Sequence, residues 1–233
     1  MQQTIEHQRI QEWYQIQERT WTESIDLGNG IWVYKNVIPN GKEVIDTMSK
    51  ILDGSDQFFK WTPAYVGYGV LMPEYRDCYD FKYKPTDMKS YGSPKLEAVN
   101  DLYNNLYYRQ LQPVKDYTLK YNIGELRYWE AMNLVKYGPN QHFQEHVDHG
   151  YSYNCTVSLV AYLNDDYSGG ELYFRLQNLM IKPEAGDLFI FPSNFMYPHR
   201  AMPVGEGTKY SLVTMLDYSD KFHKAEFYRE TGS

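Results

Sequence analysis

The chain has only two cysteines, Cys78 and Cys155, and no CxxC spacing. Two thiols make no disulfide framework, and a closed structural zinc site, usually built with cysteine, has no paired ligands here. No apolar run approaches the roughly 18 residues of a membrane span. The opening MQQTIEHQRIQEWYQ is polar and has no signal-peptide core. The expected setting is a soluble, cytoplasmic protein with free, mostly inert thiols and no membrane partner. An excess of basic residues is also missing. Lys and Arg total 23 against 30 Asp and Glu, for a formal charge of −7, and no basic stripe marks a nucleic-acid partner. Internal repeats and low-complexity linkers are absent too. The 233 residues therefore read as a single domain, 1–233.

What the chain has in quantity is aromatic side chains, 17% of residues, with 24 tyrosines. That density suits β-structure and pockets with polar tips. The N-terminal part, 1–125, reads as helices and strands supporting a core. A short helix is expected over 4–18 and a strand over 31–37. Asn40 is expected to cap a helix over 41–52, with Val44, Ile45, Met48, Ile51 and Leu52 at helical spacing and Gly54 as the stop. Ser93-Pro94 opens a second helix, with Leu96, Val99, Leu102, Tyr103 and Leu106 as its apolar stripe. Between the helices, 58–92 is rich in Tyr, Gly and Pro and suits strands and long loops. From 126 to 220, short strand candidates follow one another at 126–137, 153–163, 170–174, 178–182, 186–191, 199–204 and 209–218. The predicted fold is α+β, mainly β: a sandwich or barrel of the jelly-roll kind with helices against one face.

Four of the six histidines stand out. His142, His146 and His149 fall within eight residues, and His199 lies far downstream. Two conformations are open for 142–149. A helix would put His142 and His146 on one face, but Phe143 stands where a zinc protease needs Glu, and Gly138, Pro139 and Gly150 oppose a helix. An extended segment would put His146 and Asp148 on one side, with Cα atoms roughly 6.6–7 Å apart. One metal ion could then bind both, with His199 brought in by the fold. Two His and one carboxylate leave half of an octahedron free, which suits non-haem Fe(II) with an organic cosubstrate and O₂. Lys209 opens an apolar strand ten residues beyond His199. A buried ammonium there calls for an anionic partner. Tyr137 and Tyr162, on strands flanking the His-x-Asp turn, could donate to the same anion. His142, His149 and His223 read as flanking or surface residues. Arg200 is open between the substrate mouth and a surface ion pair.

From about Tyr128 to Tyr218 the chain resembles the Fe(II)/2-oxoglutarate-dependent oxygenases, prolyl 4-hydroxylase group. The residues that carry the likeness are Tyr137, His146-Val147-Asp148, Tyr162-Leu163-Asn164, Gly169-Gly170-Glu171-Leu172-Tyr173-Phe174, 181–188, Phe191-Pro192-Ser193, His199-Arg200 and Lys209. The resemblance implies a double-stranded β-helix over 126–220, the catalytic core. It implies Fe(II) on His146, Asp148 and His199, and 2-oxoglutarate against Lys209, Tyr137 and Tyr162. Ser211 matches an Arg-x-Ser pairing of other oxygenases, here as Lys209-x-Ser211. O₂ is the second cosubstrate and ascorbate a candidate accessory. Met215 departs from the pattern, since several relatives carry an aromatic residue there. The implied activity is hydroxylation of a prolyl residue in a peptide or protein. The alternatives are a hydroxylase of a free amino acid, a lysyl residue or a small metabolite, and, from another class, a cupin-like metal-binding module that does not use 2-oxoglutarate.

Overall fold

The structure, a computed structural model, describes residues 13, 18–67, 69–86, 92–150 and 153–223. The helix expected over 4–18 lies outside these residues but for its positions 13 and 18. Two antiparallel sheets face each other. The larger, of nine strands, runs β1 (Ser24–Asp26), β2 (Trp32–Tyr34), β12 (Leu188–Pro192), β9 (Val157–Tyr162), β14 (Lys209–Asp217), β7 (Met132–Tyr137), β5 (Tyr79–Tyr83), β3 (Thr62–Pro63), with β6 (Tyr128–Trp129) also on β14. The smaller, of five, runs β11 (Leu179–Ile181), β10 (Leu172–Phe174), β13 (His199–Ala201), β8 (His142–His146), β4 (Arg76–Asp77). This is the expected jelly roll, built from the period-2 strands of the C-terminal half and completed by five strands from before residue 84.

The larger sheet is covered on both faces, and its central strands show it. Every residue of β9, Val-Ser-Leu-Val-Ala-Tyr, is buried. On the outer side, Leu159, Ala161, Leu212 and Leu216 pack with Val44, Met48 and Ile51 of helix α1 (Gly41–Ile51) and Val99, Leu106, Val114 and Tyr117 of helix α2 (Leu96–Tyr121). On the inner side, Val160 and Tyr162 join Ile31, Val33, Phe174, Phe189 and Phe191 between the sheets. A strand buried on both faces needs apolar residues at nearly every position, so alternation is weak where burial is greatest.

Two helix starts differ from the sequence reading. Asn40 stands at the N-cap of α1 but makes no capping hydrogen bond; its amide reaches Glu43 Oε2 at 3.4 Å instead. What the start of α1 requires is glycine at 41, because a Cβ there would stand 2.0 Å from the Leu163 carbonyl oxygen. The Ser93-Pro94 turn precedes α2 rather than forming its first turn; Ser93 accepts from the Leu96 amide at 3.1 Å, and the helix begins at Leu96. Among the described residues no helix is long and apolar enough to cross a membrane.

Candidate active site

The 142–149 segment is extended up to His146, and tertiary pairing decides this. β8 is held between two neighbours, with Arg76 opposite Phe143 on one edge and His199 opposite His146 on the other. Asn140 turns the chain into the strand in the left-handed region, φ 65°, and its amide donates to the Val204 carbonyl at 2.7 Å. The cross-strand register, not sequence proximity, brings the two histidines together; their ring centroids are 4.4 Å apart. Asp148, two residues past the strand, turns back between them. Its Oδ1 is 3.6 Å from His146 Nε2 and its Oδ2 3.7 Å from His199 Nε2. All three ligand atoms lie within 4.8 Å of one another.

The protonation pattern suits a cation. His146 Nδ1 donates to the Gln144 carbonyl at 2.8 Å, and His199 Nδ1 to the Tyr197 carbonyl at 3.1 Å. A carbonyl only accepts, so each Nδ1 carries a proton and each Nε2 is the nitrogen turned inward. Burial, and after it the neighbouring His199, push the His146 pKa down to about 3, so its ring is neutral. Two imidazole nitrogens and a carboxylate thus converge at separations beyond hydrogen-bond length. A divalent cation satisfies all three, and neutral His with ionised Asp is the form that binds metal. His142 and His149 lie outside this triad. His142 bonds the Asn140 and Glu74 carbonyls, and His149 caps the turn through the Cys155 backbone.

Asp148 has a buried hydrogen-bonded support. Ser158 Oγ donates to Asp148 Oδ2 at 2.5 Å, Ser193 Oγ lies 2.7 Å from Ser158 Oγ, and Cys155 Sγ lies 3.0 Å from Ser193 Oγ. Sequence pattern carries no signal for Ser158, a polar residue at an alternating strand position. Ser158→Ala is expected to weaken divalent-metal binding about 10–100-fold, because the carboxylate loses the donor that fixes its orientation. Titration with Mn(II) checks this, with circular dichroism to confirm the fold. An unchanged affinity would show that Asp148 needs no support from Ser158.

The triad opens onto a cavity of about 420 Å³ between the sheets. Lys209, Ser211, Val213 and Met215 line it from alternate positions of β14, with Tyr137 and Tyr162 from the strands on either side. Met215 stands opposite Ser158, the support of Asp148, so the triad lies toward the Met215 end and Lys209 toward the other. Lys209 is 1% exposed. Its Nζ donates to the Gly170 carbonyl at 3.1 Å and sits 4.5 Å from the Tyr137 ring centroid and 5.8 Å from that of Tyr162. Among the described residues no carboxylate pairs with it. Burial, then Lys182, push its pKa down to about 7. Gly170 is needed beside it: φ is +67°, and a Cβ would press on the Tyr167 ring at 2.9 Å and the Lys209 stem at 3.3 Å.

The Tyr-rich 58–92 segment adds Tyr65, Val66, Gly67, Tyr75 and Arg76 to the lining, and Lys82 from β5 of the larger sheet. Arg76 is fixed there by Asp80 at 3.1 Å, the Tyr65 carbonyl at 2.8 Å and the Phe143 ring. Arg175 pairs with Glu145 at 2.8 Å outside the cavity, and the Arg200 guanidinium lies over the Tyr173 ring rather than in a surface ion pair. His223 is not a free surface residue. It stacks on Tyr128 with centroids 3.8 Å apart and meets Asp217 at 3.2 Å.

Comparison with known proteins finds relatives for the part of the chain that carries this site. The 2OG-Fe(II) oxygenase superfamily profile covers residues 132–216. A putative prolyl 4-hydroxylase of Acanthamoeba polyphaga mimivirus is 33% identical over 101 residues; the match covers 35% of this chain and 42% of that relative, so less than half of its length is spanned. Two solved structures share the fold. A prolyl hydroxylase from Trichoplax adhaerens, in complex with a hypoxia inducible factor oxygen degradation domain peptide fragment, superposes with a TM-score of 0.58 at 16% identity, over 81% of this chain and 84% of that one. The viral collagen prolyl hydroxylase of Paramecium Bursaria Chlorella virus-1, a 2OG complex, gives 0.54 at 14% identity, over 81% and 96%. Proteins of that superfamily use Fe(II), 2-oxoglutarate and O₂, and the His-Asp-His triad lies within the matched residues. Residues 132–216 of this chain are thus similar to the 2OG-Fe(II) oxygenases and, over 101 residues of the chain, to a putative prolyl 4-hydroxylase.

Proposed function

We propose that this chain is an Fe(II)- and 2-oxoglutarate-dependent dioxygenase that hydroxylates a prolyl residue in a peptide or protein. One observation carries the reading: three converging ligand atoms and a buried lysine that has no carboxylate partner among the described residues share one cavity. His146, Asp148 and His199 would hold the ferrous ion, with His146 and His199 fixed in the metal-binding tautomer by backbone carbonyls. When bound, the iron and its 2-oxoglutarate would supply O₂ activation, the keto acid leaving as succinate and CO₂. Lys209 would clamp the distal carboxylate, since an anion replaces the ammonium's lost hydration. Tyr137, Tyr162 and Ser211 would line that same end. The chain's own contribution is to orient these groups and exclude water.

A cupin-like module without 2-oxoglutarate gives no reason to bury Lys209 at this cost. The peptide reading rests on the names of the relatives and on the wall that 58–92 gives the cavity, where Tyr65 and Tyr75 offer faces on which a proline ring can stack. The test is 2-oxoglutarate turnover with Fe(II), ascorbate and a panel of proline-containing peptides, free proline and free lysine. Succinate release is expected to rise with a peptide and to fall to a slow uncoupled rate without one. Stimulation by a free amino acid alone would move the protein to the small-molecule hydroxylases, and no turnover with any member of the panel would overturn the prolyl reading.

A further inference from the structure

Beyond the triad from Lys209, the cavity holds a second polar cluster that the reading above leaves unused. Register places it. The Glu130 amide donates to the Met215 carbonyl at 2.9 Å, Asn133 stands opposite Val213, and Lys82 stands opposite Asn133. Tyr153 follows the turn after His149. All four residues line the cavity. The cavity thus has a cation, Lys209, at one end and a carboxylate, Glu130, at the other, with the triad between.

The hydrogen-bond inventory at the Glu130 end is incomplete. Asn133 Oδ1 is buried with no partner. Among the described residues, the Glu130 carboxylate forms no ion pair. Lys82 is exposed and does not close on it. Unpaired buried polar atoms are rare in native proteins and cost stability unless something pairs with them. Asn133 Oδ1 and the oxygens of an ionised Glu130 can only accept, while the Tyr153 hydroxyl is the hydrogen-bonding neighbour of the Glu130 carboxylate and keeps its lone pairs.

We propose that Glu130, Asn133 and Tyr153 form a subsite for a cationic nitrogen of the substrate, an ammonium or guanidinium, held on the far side of the triad from Lys209. The proposal rests on the dioxygenase reading, in that it assigns the substrate side of the same site. Such a group brings three to five N–H donors to the unpartnered Asn133 Oδ1 and to a carboxylate without an ion pair among the described residues, whereas a prolyl ring in a peptide brings none. The chain's charge of −7 favours a basic partner in the same sense. Burial raises the Glu130 pKa, with Lys82 opposing; a bound cation would draw it back to the charged form. The nitrogen belongs either to a basic side chain next to the hydroxylated residue or to the amine of a free amino acid.

Binding to the full chain loaded with Mn(II) and 2-oxoglutarate separates these sources. The probes are two labelled peptides of equal length, each with a central proline, flanked by lysine in one and norleucine in the other. Free lysine and free proline serve as competitors. The lysine peptide is expected to bind about ten- to hundredfold more tightly, the effect of one charged hydrogen-bonded contact. Glu130→Gln should erase that margin. Asn133→Asp, which adds a second carboxylate at the same place, should widen it, and this serves if Glu130→Gln folds poorly. Equal binding of the two peptides, with free lysine or proline bound in a Glu130-dependent way, supports the subsite and names the free amine as its source. A lysine preference that survives Glu130→Gln, or no Glu130-dependent binding of any of the four probes, overturns the proposal. The rise in melting temperature of the wild-type chain on adding Mn(II) and 2-oxoglutarate tests the dioxygenase reading separately, so the two failures are distinguishable.

Discussion

Lys209→Ala is expected to weaken 2-oxoglutarate binding by about two to three orders of magnitude, the scale for removing one partner of a desolvated charge pair. Metal affinity should stay nearly constant, because Lys209 lies at the opposite end of β14 from Met215 and the triad. The pH dependence gives a second readout. In the ligand-free protein the ammonium has a pKa of about 7, lowered by burial and then by Lys182, with Cys78 and Glu171 acting the other way. A bound dianion favours the protonated form. Above pH 7, binding must therefore take up a proton, and affinity should fall about tenfold per pH unit. Isothermal titration with Mn(II)-loaded protein between pH 6.5 and 8.5 checks both; the slope should vanish in Lys209→Ala. An unchanged affinity would remove the clamp.

The same burial predicts a gain in stability from a loss of function. The folded pKa of Lys209 is below its unfolded value of about 10.4, so the unfolded chain holds more protons between these limits. From this group, stability then rises with pH across the window from about 7 to 10.4 and is least below pH 7. Lys209→Met should raise the denaturation midpoint at pH 6.5 while abolishing 2-oxoglutarate binding.

Asp148→Asn is expected to lower metal affinity by more than the 10–100-fold that loss of a supporting hydrogen bond produces. The carboxamide keeps the side chain's shape and can still accept from Ser158. What it removes is the one carboxylate in the triad, leaving only imidazoles to hold a divalent ion. With a side chain 4% exposed, Asp148 has little water to take its place. Metal titration on the folded variant checks the claim, and retained affinity would mean that Asp148 is not a ligand.

In the sequence, short strands with turns at Gly-Gly and Pro-Glu-Ala-Gly limited the fold to a β-sandwich or barrel, jelly rolls included, and the resemblance of 128–218 to the oxygenases narrowed it to the double-stranded β-helix. The sequence also carried the His146-Val147-Asp148 spacing and the isolated Lys209. For 142–149, helix and strand both stayed open, since local pattern cannot weigh a tertiary pairing. β8 is extended because Phe143 and His146 find partners on β4 and β13, contributed by residues 67 before and 53 after them. Long-range register alone could place His199 beside His146. The same holds for Ser158 under Asp148 and for Glu130 beside Met215. A polar residue in a strand is exposed or buried according to what covers its face, and only the assembled sheets show which of them close around the cavity.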